Sequence, residues 1–236
     1  MSDNDQEFFK RQAAELAVQH VQPGIVVGLG TGTTAIHVTR CIGAMFSAGK
    51  LPGLLGFATS RSVWDEAVRL GIPMLTEDMP QPIDLTIDGA DEIDPDLNLI
   101  KGGGGALLWE KIAAQASTRV IIVADESKLS PRLGLRWPVP VEVLPFGWQS
   151  QARYLTSLGA NVSVRRHTDG REFYTDQHNM ILDCRFDNIG DPPELAKRMA
   201  HRAGIVEHGL FLGLADEAII VGKSGTRHLR RGDPVR

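Results

Sequence analysis

The spacing of apolar and polar residues in the first half of the chain predicts helices that alternate with short buried strands. An amphipathic pattern predicts a first helix over about 5–21, and Pro23-Gly24 ends it. The predicted elements that follow are strand 25–27, helix 34–46, strand 54–58, helix 62–70, strand 85–88, helix 106–117 and strand 120–124. Strands that alternate with helices indicate βαβ units, a parallel sheet and right-handed crossovers.

The pattern changes at Trp137-Pro138-Val139-Pro140, where two prolines restrict the backbone. The predicted elements from there are a strand from residue 139, helix 149–158, strands 161–165 and 180–185, helix 193–203 and a strand near residue 205. This is the β-α-β-β-α-β order of a ferredoxin-like unit. We expect the later apolar strand 217–221 to rejoin the first sheet. The predicted domains are therefore 1–136 plus 206–236, an α/β domain with a parallel sheet, and 137–205, a smaller α+β domain.

Composition and charge narrow the classes of function. The chain has 236 residues with 25 basic and 29 acidic side chains, a net charge of −4, which is typical of a globular protein and disfavours a nucleic-acid partner. A polar, acidic start and the lack of an apolar run of roughly 18 residues disfavour a membrane partner and predict a cytoplasmic protein. Cys41 and Cys184 are too few for a disulfide framework or a cysteine-based zinc site, and they indicate a reducing compartment.

A glycine- and threonine-rich loop, GLGTGTT over 28–34, follows the first predicted strand and precedes a helix. Such a position favours a bound anion, because backbone N–H groups and the helix dipole point at it. The dinucleotide fingerprint fails, since Thr33 stands at its third glycine and no acidic residue occurs over 24–64. A nucleotide P-loop fails as well, because no lysine follows these glycines, and the run Gly222-Lys223-Ser224 has Glu217 where the leading glycine belongs. The loop suits a small phosphorylated or polyhydroxy ligand, and a tight turn with a threonine N-cap is an equal alternative.

A cluster of acidic residues begins on a predicted strand and continues past its carboxyl end, the edge at which open α/β sheets bind ligands. Its members are Asp84, Asp88, Asp91, Glu92, Asp94 and Asp96. A solvated loop and a divalent metal site are alternatives. An EF-hand fails because Leu99 and Gly105 stand at the positions of its glycine and closing glutamate. Lys101 lies nearby and would repel a metal, so the cluster favours a sugar-like ligand or an ion pair.

Lys101 is followed by four consecutive glycines, 102–105. Such a run costs backbone entropy and indicates that the chain closely approaches a ligand or another segment. A flexible linker is the alternative, but the run lies between an apolar segment and a helix rather than between domains.

Glu110 lies on the next helix, on the side of its small residues and away from a polar stripe that includes Lys111 and Gln115. Its neighbours one turn away offer no ion-pair partner. A carboxylate shielded from water has a raised pKa, which suits a general base. An acidic residue favoured by the dipole near a helix start is the alternative.

Lys128 follows the predicted strand 120–124 and would lie at the same sheet edge, where it could supply charge to a phosphate. The seven histidines show no H-x-x-x-H or H-E-x-x-H spacing, and no G-x-S-x-G occurs. Zinc hydrolysis and serine esterase chemistry therefore lack their motifs.

Five segments together resemble the A-type ribose-5-phosphate isomerases. They are GLGTGTTA (28–35), DLTIDGADEI (84–93), KGGGGALLWEKI (101–112), VADESK (123–128) and PVPVEVLP (138–145). The resemblance implies a Rossmann-like domain with a smaller ferredoxin-like domain, and interconversion of ribose 5-phosphate and ribulose 5-phosphate in the non-oxidative pentose phosphate pathway. It implies no metal and no cofactor, and a homodimer or a larger homo-oligomer.

The resemblance also implies roles for individual residues. Glu110 would be the proton acceptor, with Asp88, Asp91 and Lys101 as the other catalytic residues. The implied substrate-binding residues are Thr31, Gly32, Thr33, Thr34, Asp88, Gly89, Ala90, Asp91, Lys101, Gly102, Gly103, Gly104 and Lys128. Two positions depart from the family pattern: Trp109 stands where arginine is common, and Thr33 where serine is frequent.

Aldose–ketose exchange needs a base, a cation or hydrogen-bond donors at the carbonyl oxygen, and an anchor for the phosphate. Our hypothesis is that Glu110 moves the proton, Lys101 stabilises the oxyanion, Asp88 assists ring opening and Asp91 orients hydroxyl groups. Two other classes of protein stay open. They are a sugar-phosphate sensor without catalysis, and a transferase whose glutamate attacks an acyl-CoA.

Overall fold

The structure, a computed structural model, describes residues 3–76 and 82–233. The α-helices of this part are α1 (Asp3–Ala17), α2 (Ala35–Ser47), α3 (Arg61–Arg69), α4 (Leu107–Gln115), α5 (Trp148–Ser157) and α6 (Pro192–Ala200). Its strands are β1 (Val26–Leu29), β2 (Leu55–Ala58), β3 (Leu85–Asp88), β4 (Glu92–Ile93), β5 (Leu99–Ile100), β6 (Val120–Asp125), β7 (Val139–Val143), β8 (Ala160–Val164), β9 (Met180–Phe186), β10 (Ile205–His208), β11 (Leu210–Phe211), β12 (Glu217–Gly222) and β13 (Gly225–Arg230). Short 3₁₀ turns lie at Val18–His20 and Glu126–Lys128.

Contacts between residues divide the chain into two units. The first unit comprises the described residues of Met1–Ala90, Trp109–Lys128 and Gly213–Arg236, and the second comprises Asp91–Leu108 and Leu129–Leu212. The sequence-predicted limits, 1–136 plus 206–236 and 137–205, stay a prediction, and the two units are divided at other residues. One physical reason is that β5 pairs with β11, which ties residues near 100 to residues near 210 within the second unit.

The first unit is built on a six-stranded sheet in the order β13-β12-β6-β3-β1-β2. All neighbours from β12 to β2 are parallel, and only β13 is antiparallel. The parallel pairing of β12 with β6 confirms that the apolar segment near 217–221 rejoins the first sheet. The α/β prediction for this unit is therefore confirmed.

Burial explains why these segments form the interior strands. Every residue of β1, β3, β6 and β12 is buried. Continuous apolar runs are typical of parallel strands that are covered on both faces. The small face of α1, with Ala13, Ala14 and Ala17, belongs to the same hydrophobic core. None of the described helices is both long and apolar enough to cross a membrane.

The second unit contains a four-stranded antiparallel sheet in the order β10-β7-β9-β8. Numbered within the unit, this is the order 4-1-3-2, with α5 after its first strand and α6 after its third, and the ferredoxin-like prediction is confirmed. Alternate residues of β7, Val139, Val141 and Val143, point into the hydrophobic core. A smaller sheet of β11, β5 and β4 completes the unit.

Glu142 occupies the other face of β7 and is fully buried. Its Oε1 accepts hydrogen bonds from the Thr175 hydroxyl (2.9 Å) and from the Asn179 side-chain amide (2.9 Å). Its Oε2 accepts none from the part of the chain that the structure describes. Loss of hydration raises the pKa of this carboxyl, and the charges of Glu207 and Asp176 raise it further.

The raised pKa of Glu142 predicts a specific dependence of stability on pH. The folded state holds this proton more tightly than the unfolded state, so stability is full below the unfolded pKa of about 4.5 and falls as pH rises through the folded value. We expect Glu142→Gln to remove that fall. The difference in urea midpoint, variant minus wild type, should therefore increase between pH 5 and pH 8. Glu15→Gln, at an exposed position of α1, is the control and should keep the wild-type slope. Equal slopes for Glu142→Gln and wild type would contradict the assignment.

Candidate active site

The switch point of the first unit's sheet lies between β1 and β3. The strand order β2-β1-β3-β6-β12 reverses direction there, and ligands of open α/β sheets bind beyond the carboxyl ends of the strands at such a point. Asp88 ends β3 and is 2% exposed. Its Oδ1 accepts the N–H of Thr31 (3.0 Å), which follows β1, and the N–H of Gly89 (2.7 Å). The structure thus brings three of the predicted residues together at this edge.

Close approach to Asp88 requires glycine in the loop after β1. A Cβ built on Gly30 would lie 2.2 Å from Asp88 Oδ1, closer than any real contact. Gly32 has a φ of +121°, a conformation that other residues rarely adopt. The glycines therefore let the loop close over the carboxylate and turn into α2.

Hydroxyl groups form a connected set beside this loop. Thr31 Oγ1 lies 2.8 Å from Thr59 Oγ1 and donates to Ser60 Oγ at 2.9 Å. Ser60 Oγ in turn lies 3.0 Å from Ser62 Oγ. The sequence pattern does not indicate Thr59, Ser60 and Ser62 as site residues. The signal that could have found them is their position directly after β2, because parallel strands end at one edge.

The remaining loop residues lie at the start of α2. Thr33 is exposed, Thr34 is buried, and Gly32 O accepts the N–H of Ile36 at 3.0 Å. Thr34 is the N-cap residue, but its side chain makes no capping hydrogen bond. The sequence left open that the threonine serves only to cap the helix, and the structure does not show this cap.

Lys128 and the Gly222-Lys223-Ser224 run lie at the carboxyl ends of two neighbouring strands of the first unit's sheet, β6 and β12. Lys128 is half-buried in the 3₁₀ turn after β6, beyond a strand end parallel to that of β3. Residues 222–224 lie at the turn between β12 and β13 rather than between a strand and a helix. Glu126 accepts the Lys223 N–H (3.1 Å) and the Ser224 hydroxyl (2.9 Å), so this turn is held by a carboxylate. It is no phosphate loop.

Glu110 lies in the first turn of α4 and is 4% exposed. This burial shields the carboxylate from water, as the sequence predicts. The predicted polar stripe on this helix is partly wrong, because Lys111 is buried while Ile112 is 41% exposed. Gln115, the other member of the stripe, is exposed as predicted.

In the second unit, Asp91 is tied to the glycine run. Its Oδ2 accepts the N–H of Gly103 at 2.7 Å, and its own N–H bonds to Ile100 O at 2.9 Å. Gly102 and Gly105 both have positive φ, and the N–H of Gly105 bonds to Gly102 O at 3.0 Å. The run is thus a tight turn that needs glycine, rather than a linker.

Lys101 precedes this turn and is 3% exposed. Its Nζ lies 5.6 Å from the centre of the Phe211 ring, and its N–H bonds to Gly209 O at 2.9 Å. An ammonium over an aromatic face is stabilised by the ring quadrupole. The lysine is thus held inside its unit without exposure to bulk water.

Glu92 anchors the segment that carries Asp91. Its carboxylate is fully buried and accepts four backbone N–H groups at 3.0 to 3.2 Å, those of Gly134, Leu135, Arg136 and Trp137. The sequence pattern includes Glu92 in the acidic cluster, for which a solvated loop, a metal site and a sugar-like ligand are all open. Its role in the described structure is to close the loop before β7.

Asp84 and Asp94 of the acidic cluster also accept backbone N–H groups. Asp84 Oδ2 accepts the N–H of Val26 at 2.8 Å, and Asp94 caps the turn that leads to Asn98. Among the described residues, no three His, Cys, Asp or Glu side chains are grouped so that they could hold a metal ion. Within the cluster, Asp88 and Asp91 are the two members that bond to other predicted site residues: Asp88 to Thr31 and Gly89, and Asp91 to Gly103.

The predicted site residues are divided between the two units. Those of the first unit are Thr31, Gly32, Thr33, Thr34, Asp88, Gly89, Ala90, Glu110 and Lys128. Those of the second unit are Asp91, Lys101, Gly102, Gly103 and Gly104. A switch point with a buried carboxylate and clustered hydroxyls is typical of an α/β enzyme for a small polar ligand.

Comparison with known proteins specifies the class further. The family model for ribose 5-phosphate isomerase A (phosphoriboisomerase A) matches residues 55–225. The ribose-5-phosphate isomerase A of Chloroflexus aurantiacus is 48% identical over 233 residues, which are 99% of this chain and 98% of that protein. The ribose-5-phosphate isomerase A of Desulfatibacillum aliphaticivorans is 48% identical over 225 residues, which cover 95% of this chain and 98% of that protein.

Solved structures agree with these relatives. A D-ribose-5-phosphate isomerase in complex with phospho-erythronic acid has a TM-score of 0.93 and 34% identity, with 96% of this chain and 99% of the other covered. The ribose 5-phosphate isomerase of Plasmodium falciparum has a TM-score of 0.92 and 38% identity, with coverage of 96% and 99%. This chain belongs to the ribose 5-phosphate isomerase A family, and it is an isomerase.

Proposed function

We propose that Glu110 is the base with which this chain interconverts ribose 5-phosphate and ribulose 5-phosphate. The reaction is the aldose–ketose isomerisation of the family to which the chain belongs, a step of the non-oxidative pentose phosphate pathway. The observation that carries the assignment of the base is the burial of the Glu110 side chain, 4% exposed, within the matching segment 101–112. A positioned, shielded carboxylate suits proton transfer at carbon.

The proposed chemistry moves one proton and one double bond. The Glu110 carboxylate takes the proton from C2 of the open-chain aldose, and the electron pair of that C–H bond forms the C1–C2 double bond while O1 becomes an oxyanion. The C2 hydroxyl then passes its proton to O1, Glu110 returns a proton to C1 with the electron pair of the double bond, and the product has a ketone at C2 and a hydroxyl at C1. The ammonium of Lys101 stabilises the oxyanion of this enediolate.

Ring opening and substrate orientation are assigned to the two aspartates. Asp88 takes the proton of the C1 hydroxyl, the bond between C1 and the ring oxygen breaks as the C1=O bond forms, and Asp88 then gives that proton to the released ring oxygen. The N–H groups of Thr31 and Gly89 support this role, since they fix Oδ1 of the carboxylate. Asp91 orients the sugar hydroxyls.

We assign the phosphate and the rest of the sugar chain to backbone and hydroxyl donors. The start of α2 supplies N–H groups and a dipole that favour an anion. The proposed binding residues, besides Asp88, Asp91 and Lys101, are Thr31, Gly32, Thr33, Thr34, Gly89, Ala90, Gly102, Gly103, Gly104 and Lys128. The relative solved with phospho-erythronic acid supports this choice, because that ligand combines a phosphate, hydroxyls and a carboxylate that resembles an enediolate in charge.

An assay in EDTA tests the proposed function. We expect the purified chain to convert ribose 5-phosphate to ribulose 5-phosphate with the same kcat with and without EDTA, because each proposed role is filled by a side chain or a backbone group. Tight binding of ribose 5-phosphate without conversion would instead identify a sensor. Activity that EDTA abolishes would contradict the proposed mechanism.

We further propose that the chain acts in the cytoplasm as a homodimer or a larger homo-oligomer. The two free cysteines support a reducing compartment. The second unit exposes Phe146 (92%) and Leu144 (46%), apolar side chains of the kind that contacts between subunits cover. Light scattering of the purified chain measures its mass in solution.

A further inference from the structure

Arg165, directly after β8, holds the glycine turn of the second unit by its carbonyl groups. Its Nη1 donates to Gly102 O at 2.6 Å and to Gly103 O at 3.1 Å. The other side of the guanidinium pairs with Asp183 on β9, through Nε to Oδ2 (3.0 Å) and Nη2 to Oδ1 (2.5 Å). The Arg165 side chain is only 13% exposed. A guanidinium is well suited to this task, because its planar fork fixes several acceptors at once.

Phe173 fixes the same guanidinium from a third direction. The centre of its ring lies 5.8 Å from Arg165 Cζ. The ring also fills the space above Gly105, where an added Cβ would lie 2.4 Å from Phe173 Cζ. The pairing with Asp183, the Phe173 ring and the glycine turn thus hold the guanidinium in one position.

The two carbonyl contacts determine where the N–H groups of the turn point. In a trans peptide the C=O and the N–H point in opposite directions, and none of the described peptide bonds is cis. Because Gly102 O points at Arg165, the N–H of Gly103 points away from it, and Asp91 Oδ2 accepts this N–H at 2.7 Å. By the same rule, because Gly103 O accepts a hydrogen bond from Arg165, the N–H of Gly104 points away from the arginine. Gly104 is the exposed residue of this turn.

We propose that Arg165 is a positioning residue for the isomerisation, because it orients the Gly103 N–H toward Asp91 and the Gly104 N–H toward the sugar phosphate. The positive charge also polarises both peptide groups, which strengthens them as donors. This inference rests on the proposed function, in which Asp91 and the glycine turn bind substrate. Arg165 touches neither the reacting carbons nor the proton that moves.

Kinetics of Arg165→Met test the proposal. Hydrogen bonds to the sugar are made in the ground state and in the transition state alike, so their loss raises KM more than it lowers kcat. We expect KM to rise about tenfold or more while kcat changes by less than about threefold. Arg166→Met is the matched control, because the neighbouring Arg166 contacts Gly170 O and Glu172 instead of the glycine turn. It should keep the wild-type KM.

Arg165→Lys keeps the positive charge beside Asp183 and guards against a variant that fails to fold. A single ammonium cannot replace the whole fork, so we expect an intermediate KM and faster hydrogen exchange at 103–105 in this variant. A wild-type KM together with unchanged exchange at 103–105 in Arg165→Lys would overturn the proposal. So would a change in Arg165→Met that appears in kcat alone.

Failure of the role proposed for Arg165 can be distinguished from failure of the proposed isomerase function. Should the wild type prove inactive, the dissociation constant of ribose 5-phosphate, measured by calorimetry, replaces KM in the same comparison. Weaker binding by Arg165→Met and unchanged binding by Arg166→Met would then support the positioning role alone. Equal binding by both variants would overturn it, whatever the role of Glu110.

Discussion

Replacement of Glu110 by glutamine should lower kcat for ribose 5-phosphate by about 10²- to 10⁴-fold, the usual contribution of a positioned base. Glutamine has almost the same size and can fill the buried position, but it cannot take a proton from C2. A spectrophotometric assay of ribulose 5-phosphate formation measures the loss. Because the substitution leaves the binding groups in place, KM should change much less than kcat.

Two controls separate chemistry from folding in this variant. The urea midpoint of Glu110→Gln should match or exceed that of the wild type, since a buried carboxylate is replaced by a neutral amide. The dissociation constant for ribose 5-phosphate should stay within a few-fold of the wild-type value. A near-normal kcat would contradict the role of Glu110, and an unfolded variant would shift the test to Glu110→Asp, whose kcat should also fall.

Glu92→Gln should destabilise the second unit by about 3 kcal/mol, because buried backbone donors lose their acceptor. The carboxylate now accepts two N–H groups on each oxygen, those of Gly134 and Trp137 on Oε2 and those of Leu135 and Arg136 on Oε1. A glutamine amide presents an NH₂ group to one of these pairs of donors. Urea unfolding measures the lost stability, and hydrogen exchange should show lost protection over 134–137.

Asp94→Asn is the matched control for this effect. Asp94 also accepts backbone N–H groups, from Asp96 and Asn98, but both bonds converge on Oδ1. An asparagine oxygen can accept both of them, and the substitution loses only the bond from the Asn98 side-chain amide to Oδ2 (3.1 Å), so the loss of stability should stay below about 1 kcal/mol. Unchanged protection of 134–137 in Glu92→Gln would show that the four N–H groups do not depend on the carboxylate.

The sequence pattern predicted those elements whose residues are buried in long runs or on one helix face. Strand β3 begins and ends where the pattern places it, and β6 extends one residue beyond the prediction. The first helix ends earlier than expected, at Ala17, and continues as the 3₁₀ turn Val18–His20. Hydrophobic periodicity detects burial, and burial decides these elements.

The sequence pattern does not predict strands that are very short or exposed. Strands β4, β5 and β11 are buried, but they have two residues each, too few to show a period; β5 pairs with β4 on one side and with β11 on the other. Strand β13 is exposed over nearly its whole length, and its antiparallel pairing with β12 defines it. Such pairings between distant segments leave no periodic signal in the sequence.

The candidate site divides in the same way. The threonine loop and Asp88 follow from the rule that ligands lie at the carboxyl ends of parallel strands, and the structure joins them within 3.0 Å. Arg165 had no such signal, because its partners Gly102 and Gly103 lie more than sixty positions earlier in the chain. The burial of Lys111, which helical periodicity had placed on a polar stripe, is another feature that the spacing could not predict.

Proton exchange in deuterated water tests the central claim, that Glu110 carries the proton between C2 and C1. The wild type should form ribulose 5-phosphate with solvent deuterium at C1, detected by NMR, because the protonated carboxyl exchanges with water before it returns its proton. Glu110→Gln should bind ribose 5-phosphate yet leave its C2 hydrogen in place over the same time. Loss of the C2 hydrogen at the wild-type rate in Glu110→Gln would contradict the account.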